Sequence, residues 1–337
     1  MMEEDRPNEE LLPIAKQIVE DLSDVTETKD FVVDPSKYFW DLWKRTKWEM
    51  KAKIIPTGFR DIDNRIYWVF AWEIMTIAAR TWVWKTTLWL DIALNMLEHC
   101  KVGFITLEMT EVDMYDRIMS RECNIYLWTF YSDSFKPRDI ENLKKYWAKA
   151  KEKIDNLILA YWCFSIEDII ATVNSMADQW CEAVFIDWLW MINAQWNRRN
   201  EQMHYIMTKL KDVATSKNIA IVAMQQLNRQ IDNIARDDPE LSDIADSSAI
   251  EHISSPVLIL WKSKDEKTDE TFCSLFKTRR INEDAKQQCR KIAEAQWKKR
   301  QEIFFKVKFK DDLWHCSFRD YEETLPTNTP PQWTTPF

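Results

Sequence analysis

The chain has 337 residues, a formal net charge of −9, 46% hydrophobic and 30% charged residues. That balance suits a globular protein of one or two domains and excludes a chain disordered throughout. It holds no uninterrupted apolar run of about 18 residues, the minimum for a membrane-spanning helix, and the acidic start MMEEDRPNEE reads as neither a secretory signal nor a transit peptide, so a cytoplasmic protein is expected.

One composition figure is abnormal: there are 2 glycines and 19 tryptophans. Ordinary usage predicts roughly 24 glycines in this length. The 2 glycines and 19 tryptophans together come close to what glycine alone should supply. The 7 cysteines (Cys100, Cys123, Cys163, Cys181, Cys273, Cys289, Cys316) form no CxxC pair and no Cys/His zinc spacing. They read as small buried or half-buried thiols in a reducing compartment. With an acidic total, nucleic-acid binding must come from local basic patches.

In chain order, residues 1–53 read as a helical arm or linker. Leu11, Leu12, Ile14, Ala15, Ile18, Val19 and Leu22 approximate a 3.6-residue period over 8–24, with Pro13 in the first turn. A turn at Asp34-Pro35-Ser36 leads to a second helix over 37–51. The apolar face is too small for an independent domain. Over 54–324 the pattern alternates. Strands are expected at 73–79, 102–107, 154–161, 182–187, 220–224, 257–261 and 302–310. Helices are expected at 85–100, 111–121, 166–179, 200–215 and, strongly basic, 286–300. Ser165 with Asp168 three residues on reads as a helix cap. Such alternation predicts an α/β fold: a mostly parallel, twisted sheet with helices on both faces. The Pro/Thr-rich 325–337 reads as a disordered tail.

The segment Ala79-Arg80-Thr81-Trp82-Val83-Trp84-Lys85-Thr86-Thr87 lies between an expected strand and an expected helix. It meets every fixed position of the phosphate-binding P-loop pattern except one, where Trp84 stands for glycine. The glycine is needed because main-chain N–H groups curl round the phosphate at the helix N-terminus, and a side chain there obstructs the approach. Tryptophan recurs where turn chemistry wants small residues, at Trp68 and Trp72, at Trp188 and Trp190, and at Trp314 in an expected hairpin. Many of these tryptophans are therefore expected to be glycine in the natural protein, through a codon read as glycine in the source and as tryptophan here.

Three strand ends complete the constellation. Ala183-Val184-Phe185-Ile186-Asp187 has the form of a strand ending in an acid whose carboxylate reaches the hydration shell of Mg²⁺ near Thr86; a buried strand also often ends in Asp as a helix cap. Glu108, after the strand that follows the P-loop helix, is placed to polarise an attacking water; it also reads as a solvent-facing helix-start residue. Gln226 ends the strand Ala223-Met224-Gln225-Gln226 and is placed to sense the γ-phosphate, or is a plain polar strand end.

These motifs resemble, in type and order, the RecA-like motor domain of DnaB-type replicative helicases. The likeness rests on Pro56-Thr57-Gly58-Phe59 with Asp61, Ile62 and Asp63, on Ala78-Ala79-Arg80 and Lys85-Thr86-Thr87, and on Leu107-Glu108-Met109. It continues through Asp187, Gln226-Leu227-Asn228-Arg229, and Ser242-Asp243 with Ser247, Ile250 and Glu251. It covers about residues 54–320; the first fifty residues resemble at most that family's linker helix, so its N-terminal primase-interacting domain is expected to be missing. The resemblance implies a P-loop NTPase in which Lys85 contacts the β- and γ-phosphates, Thr86 and Asp187 hold Mg²⁺, Glu108 is the catalytic glutamate and Gln226 the sensor. Lys277 and Arg279, within Phe276-Lys277-Thr278-Arg279, would act on the neighbouring subunit's ATP. Segments 193–201 and 228–248 match loops that hold single-stranded DNA, with Arg198, Arg199 and Arg229 as basic contacts or merely solvated arginines. Ala245 and Ser248 stand where the family commonly carries Arg and Gly, and the charged 281–300 interrupts its usual compact hairpin. The implied partners are single-stranded or forked DNA, further copies in a hexameric ring, and a primase or helicase loader; the implied movement is 5′ to 3′. Rival readings are another RecA-family ATPase, recombinase or KaiC-like, and a non-catalytic DNA-binding scaffold if Trp84 is genuine.

Overall fold

The computed structural model describes residues 43–44, 54–66, 69–80, 85–195, 198–228, 239–245, 247–262, 271–278, 305–312 and 317–320. The chain divides into two compact units, Met1–Lys53 and Ile54–Phe337. In the first, Trp43 and Lys44 are helical. The helix expected at 8–24, most of that at 37–51, the basic stretch 286–300 and the tail lie outside the described residues.

The second unit opens with a two-stranded antiparallel pair, β1 (Ile54–Ile55) and β2 (Val69–Phe70), around helix α1 (Arg60–Ile66). Alternation follows: β3 (Ile74–Ala79), α2 (Lys85–Met96), β4 (Lys101–Thr106), α3 (Glu111–Cys123), α4 (Leu127–Tyr131), α5 (Pro137–Asp155), β5 (Leu157–Tyr161), α6 (Ile166–Asp178), β6 (Cys181–Asp187), α7 (Arg199–Lys217), β7 (Ala220–Gln226), α8 (Ser247–Ile253), β8 (Val257–Lys262), β9 (Thr271–Lys277), β10 (Phe305–Asp312) and β11 (Ser317–Asp320). The main sheet has nine strands in the order β11-β10-β9-β8-β3-β7-β6-β4-β5. The pairs from β8 to β5 are parallel, and β8 to β11 pair antiparallel. The α/β fold with a mostly parallel sheet is thus as the alternation predicted.

Both faces of the parallel part are buried, so its strands read as nearly continuous apolar runs. The two-residue alternation then sorts side chains between two cores. Met75 and Ile77 of β3, Phe104 of β4, Phe185 of β6 and Val222 of β7 face α2; their neighbours Ile74, Ile105, Val184, Ile186 and Ile221 face α6, α7 and α8. Trp89 of α2 sits with its ring centroid 4.7 Å from that of Phe104 and 5.7 Å from that of Phe185, which seats the helix on β4 and β6.

The strand expected at 154–161 is shorter. Helix α5 runs to Asp155, because Leu143, Tyr146, Ala150 and Ile154 recur at helical spacing against Met119, Cys123 and Ile125. Ile154 serves that face instead of the sheet. Helices α1, α4, α5 and α8 and strands β1, β2 and β9 had no counterpart among the expected elements. The expected cap is present: Ser165 Oγ accepts the N–H of Asp168. The hairpin expected around residues 312–315 has its flanks in β10 and β11, which pair antiparallel on either side of 313–316. Among the described cysteines, Cys123, Cys181 and Cys273 are buried and Cys100 and Cys163 half-buried; Cys289 and Cys316 lie outside the described residues.

Among the described residues, three tryptophans adopt left-handed backbone: Trp72 (φ 67°), Trp162 (φ 67°) and Trp180 (φ 71°). Trp72 lies in the turn closed by the bond from Glu73 N–H to Phe70 C=O (3.2 Å). Trp180 follows the C-terminus of α6, its N–H donating to Ala177 C=O at 3.0 Å, where glycine is the usual helix terminator. Its side chain is 81% exposed and that of Trp162 69%. Gly58 (φ 79°) shows what the region admits: a Cβ there would come within 2.5 Å of Asn95.

Candidate active site

The carboxyl ends of four adjacent strands, β3, β7, β6 and β4, carry the residues singled out by motif. Register places Ala79 beside Gln226 and Thr106 beside Asp187. Leu227 N–H donates to Ala79 C=O (3.1 Å), and Leu107 N–H to Asp187 C=O (2.7 Å), so the strand ends are stitched past the last regular pair. In open α/β sheets this rim is where ligands bind.

Helix α2 begins at Lys85, after the loop that leaves β3 at Ala79, so Lys85 and Thr86 occupy its first turn. That turn offers unpaired main-chain N–H groups and positive potential to an anion. Arg80, just past β3, has its pKa pulled down by burial. Thr87 is buried, and its hydroxyl meets no hydrogen-bond partner among the described residues. Thr81, Trp82, Val83 and Trp84 lie outside the described residues.

Asp187 is 1% exposed at the end of β6. A metal cage of three or more His, Cys, Asp or Glu side chains does not occur among the described residues. One buried carboxylate on the rim that also carries the start of α2 fits Mg²⁺, which keeps several waters and is commonly held by one or two carboxylates plus substrate phosphates. Glu108 sits in the bend after β4, exposed to solvent. Two devices hold it. Thr106 Oγ accepts the N–H of Met109 (3.0 Å), which fixes the bend. The indole N–H of Trp188, from the residue after Asp187, donates to the Glu108 carboxylate.

Gln226 ends β7 half-buried, and its C=O accepts the N–H of Ala245 at 3.1 Å. Gln225, fully buried, donates its side-chain amide to Ala245 C=O at 2.8 Å, and Asn228 N–H reaches Asp243 C=O at 2.6 Å. The segment 243–245 is thereby tied to the end of β7, closing the neck of the loop expected to meet DNA.

Of the basic residues, Arg198 is 83% exposed and lies 3.7 Å from Glu201. Arg199 is held at the start of α7, bonding to Trp190 C=O at 2.7 Å and to Gln202 at 2.6 Å. Lys277, at the end of β9, donates to the backbone carbonyls of Glu251 and, at 3.4 Å, His252, capping the last turn of α8. Arg229 and Arg279 lie outside the described residues. The structure therefore brings Glu108, Asp187, Gln226 and the start of α2 to one rim, and places Lys277 apart, two strands beyond β3. Motif reasoning had passed over Thr106, Gln225 and Trp188 as partners of this rim. A buried threonine or glutamine beside a motif residue was the available signal, but nothing in the spacing distinguishes it from ordinary core.

Residues 54–305 match the family model described as DnaB-like helicase C terminal domain. The chain is 30% identical to a probable plasmid replicative DNA helicase of Chlamydia muridarum over 61% of its own length and 46% of the relative's. It is also 30% identical to the replicative DNA helicase DnaB of Helicobacter pylori, over 66% and 48%. It thus spans about half the length of these curated relatives. Among solved structures, a DnaB-like replicative helicase described with its primase interactions has TM-score 0.68 at 19% identity, covering 93% of this chain and 76% of that one. A structure described as an ATPase domain has TM-score 0.70 at 19% identity, covering 87% of this chain and all of that one. A KaiC-like protein of Pyrococcus horikoshii has TM-score 0.53 at 12% identity, covering 81% of this chain and all of that one, so the rim belongs to a fold several families share. The family match, covering most of the chain and all four strand ends, decides among them: the chain belongs to the DnaB-like helicase C-terminal domain family.

Proposed function

We propose that this chain is the ATP-hydrolysing motor of a replicative DNA helicase, working as a ring that travels 5′ to 3′ on one strand and excludes the other. The observation that carries the reading is the convergence of Glu108, Asp187, Gln226 and the N-terminal turn of α2 on one sheet rim. In this reading the turn beginning at Lys85 cradles the phosphates, and Lys85 neutralises the β- and γ-oxygens. Asp187 and Thr86 hold Mg²⁺, which when bound shields phosphate charge. Glu108 orients the attacking water and accepts its proton, and Gln226 registers the γ-phosphate. Lys277 and Arg279 supply positive charge to the adjoining copy, where it stabilises the oxygens of the transferring phosphoryl group. Arg198, Arg199 and Arg229 meet the DNA backbone. Forked DNA and a primase or loader are the partners the family implies.

The test is ATP turnover with and without single-stranded DNA. Turnover is expected to rise with DNA and to fall at least about 100-fold in Lys85→Ala. Persistence of turnover in that variant overturns the reading; DNA-independent turnover would favour another RecA-like ATPase.

The reading needs bare main chain at 84. We propose that glycine stands at 72, 162, 180 and 84 in the protein as its source makes it. Left-handed backbone at Trp72, Trp162 and Trp180 supports this, since a residue with a Cβ pays about 1–2 kcal/mol there and glycine does not. Peptide masses from native material decide it. A glycine-for-tryptophan difference at these four positions is expected, and tryptophan at all four removes the idea.

A further inference from the structure

Trp188 stands apart from the left-handed tryptophans. Its backbone is extended (φ −124°, ψ 149°), a conformation any residue adopts. Its side chain is 7% exposed. Its indole N–H donates to the Glu108 carboxylate across 80 positions of sequence. The two residues are brought together by the sheet: Thr106 and Asp187 are register partners on β4 and β6, and each is followed closely by one member of the pair. A buried indole usually finds a partner for its N–H, and here that partner is the carboxylate proposed to activate water.

We propose that Trp188 is a positioning residue for Glu108. The N–H engages one carboxylate oxygen and so fixes the plane of the group; the other oxygen is left to face the nucleotide. That is what a general base requires, since proton transfer demands hydrogen-bond reach and alignment. In the step served, a bond forms between water oxygen and the γ-phosphorus while the bond to the β,γ-bridging oxygen breaks. ADP leaves with the electron pair, and the water proton passes to the free oxygen of Glu108. With the indole removed, the exposed carboxylate turns freely between water and substrate. The proposal rests on Glu108 being the base.

The experiment compares Trp188→Phe, Glu108→Gln and the double variant in the protein made with its source's own decoding, by steady-state ATP turnover and by affinity for a non-hydrolysable ATP analogue. Trp188→Phe keeps an aromatic ring and deletes the N–H. It is expected to lower kcat roughly tenfold, a part of the whole contribution of a general base, while KM and analogue affinity stay within twofold. A merely structural role lowers the thermal midpoint without separating kcat from KM. Because Trp188 acts through Glu108, the double variant is expected to be no slower than Glu108→Gln. Should Trp188→Phe fail to fold, Trp188→Met, which fills the space without a ring N–H, gives the same readout. Unchanged kcat in a folded Trp188 variant overturns the proposal, as does glycine at 188 in native material. Full turnover in Glu108→Gln sinks the base reading itself, a separate result from Trp188→Phe turning over at the parent rate beside an inactive Glu108→Gln.

Discussion

Single residues show how environment sets chemistry in this protein. Cys123 and Cys181 are buried among apolar side chains, and burial, which disfavours the thiolate, pushes both thiols up to about 11. Below pH 8 both are therefore neutral thiols, in the buried setting expected of them. Their raised pKa makes stability pH-dependent in one direction. In the unfolded state they ionise near the ordinary value of about 8.5, and in the folded state only near 11. Stability is therefore whole below the unfolded value and falls as pH climbs towards the folded one. Denaturant midpoints measured at about pH 8 and about pH 10.5 check this: Cys123→Ser with Cys181→Ala is expected to flatten the fall between them. The candidate site residues could be picked out singly, because Glu108, Asp187 and Gln226 each sit at or just past an expected strand end and Lys85 opens the helix after one. Trp188 was not, since its partner is 80 positions away and only the fold brings them into contact.

At the scale of elements, helix α2 is anchored by charge as well as by packing. Asp91 of α2 is fully buried and pairs with the Arg121 guanidinium of α3, which also bonds to Glu122 and, at 2.8 Å, to Asn95 of α2. Lys153 of α5 joins the cluster at 3.1 Å from Glu122. Asn95 extends it to the opening turn by donating to Thr57 C=O at 3.2 Å, and Asp63 accepts from the Thr57 N–H and hydroxyl at 2.8 Å each. Removing one partner of a buried pair leaves an uncompensated charge, which costs about 3–5 kcal/mol. Arg121→Met is accordingly expected to lower stability by that amount, read as a shift of the denaturant midpoint, and Asp91→Asn with Arg121→Met to recover much of it. Most α/β elements were readable because their apolar periods are clean. Helix α5 was not, because its charged run, Pro137 to Asp155, carries its few apolar residues on one narrow stripe. Strand β9 was passed over because a single buried strand among antiparallel neighbours offers no alternation with a helix.

At the scale of the molecule, sequence alone determined the alternating α/β pattern, the order of the phosphate loop, glutamate, aspartate and glutamine, and the conflict between that order and an indole at 84. These are local properties: periodicity, turn chemistry and spacing survive in one dimension. Tertiary structure decided the rest. Strand order cannot be read from the order of elements along the chain, so only the sheet shows β7 and β6 lying between β3 and β4, with four strand ends on one rim. It decided that Gln225 and Gln226 bind the 243–245 segment, and that Lys277 caps α8 of the same molecule. It also sorted the tryptophans, holding three in backbone that favours glycine and one, Trp188, in extended backbone against the carboxylate it serves. The physical reason is that a side chain's role at a rim depends on which distant strand lies beside it, and hydrogen bonding across a sheet, not proximity in sequence, chooses that neighbour.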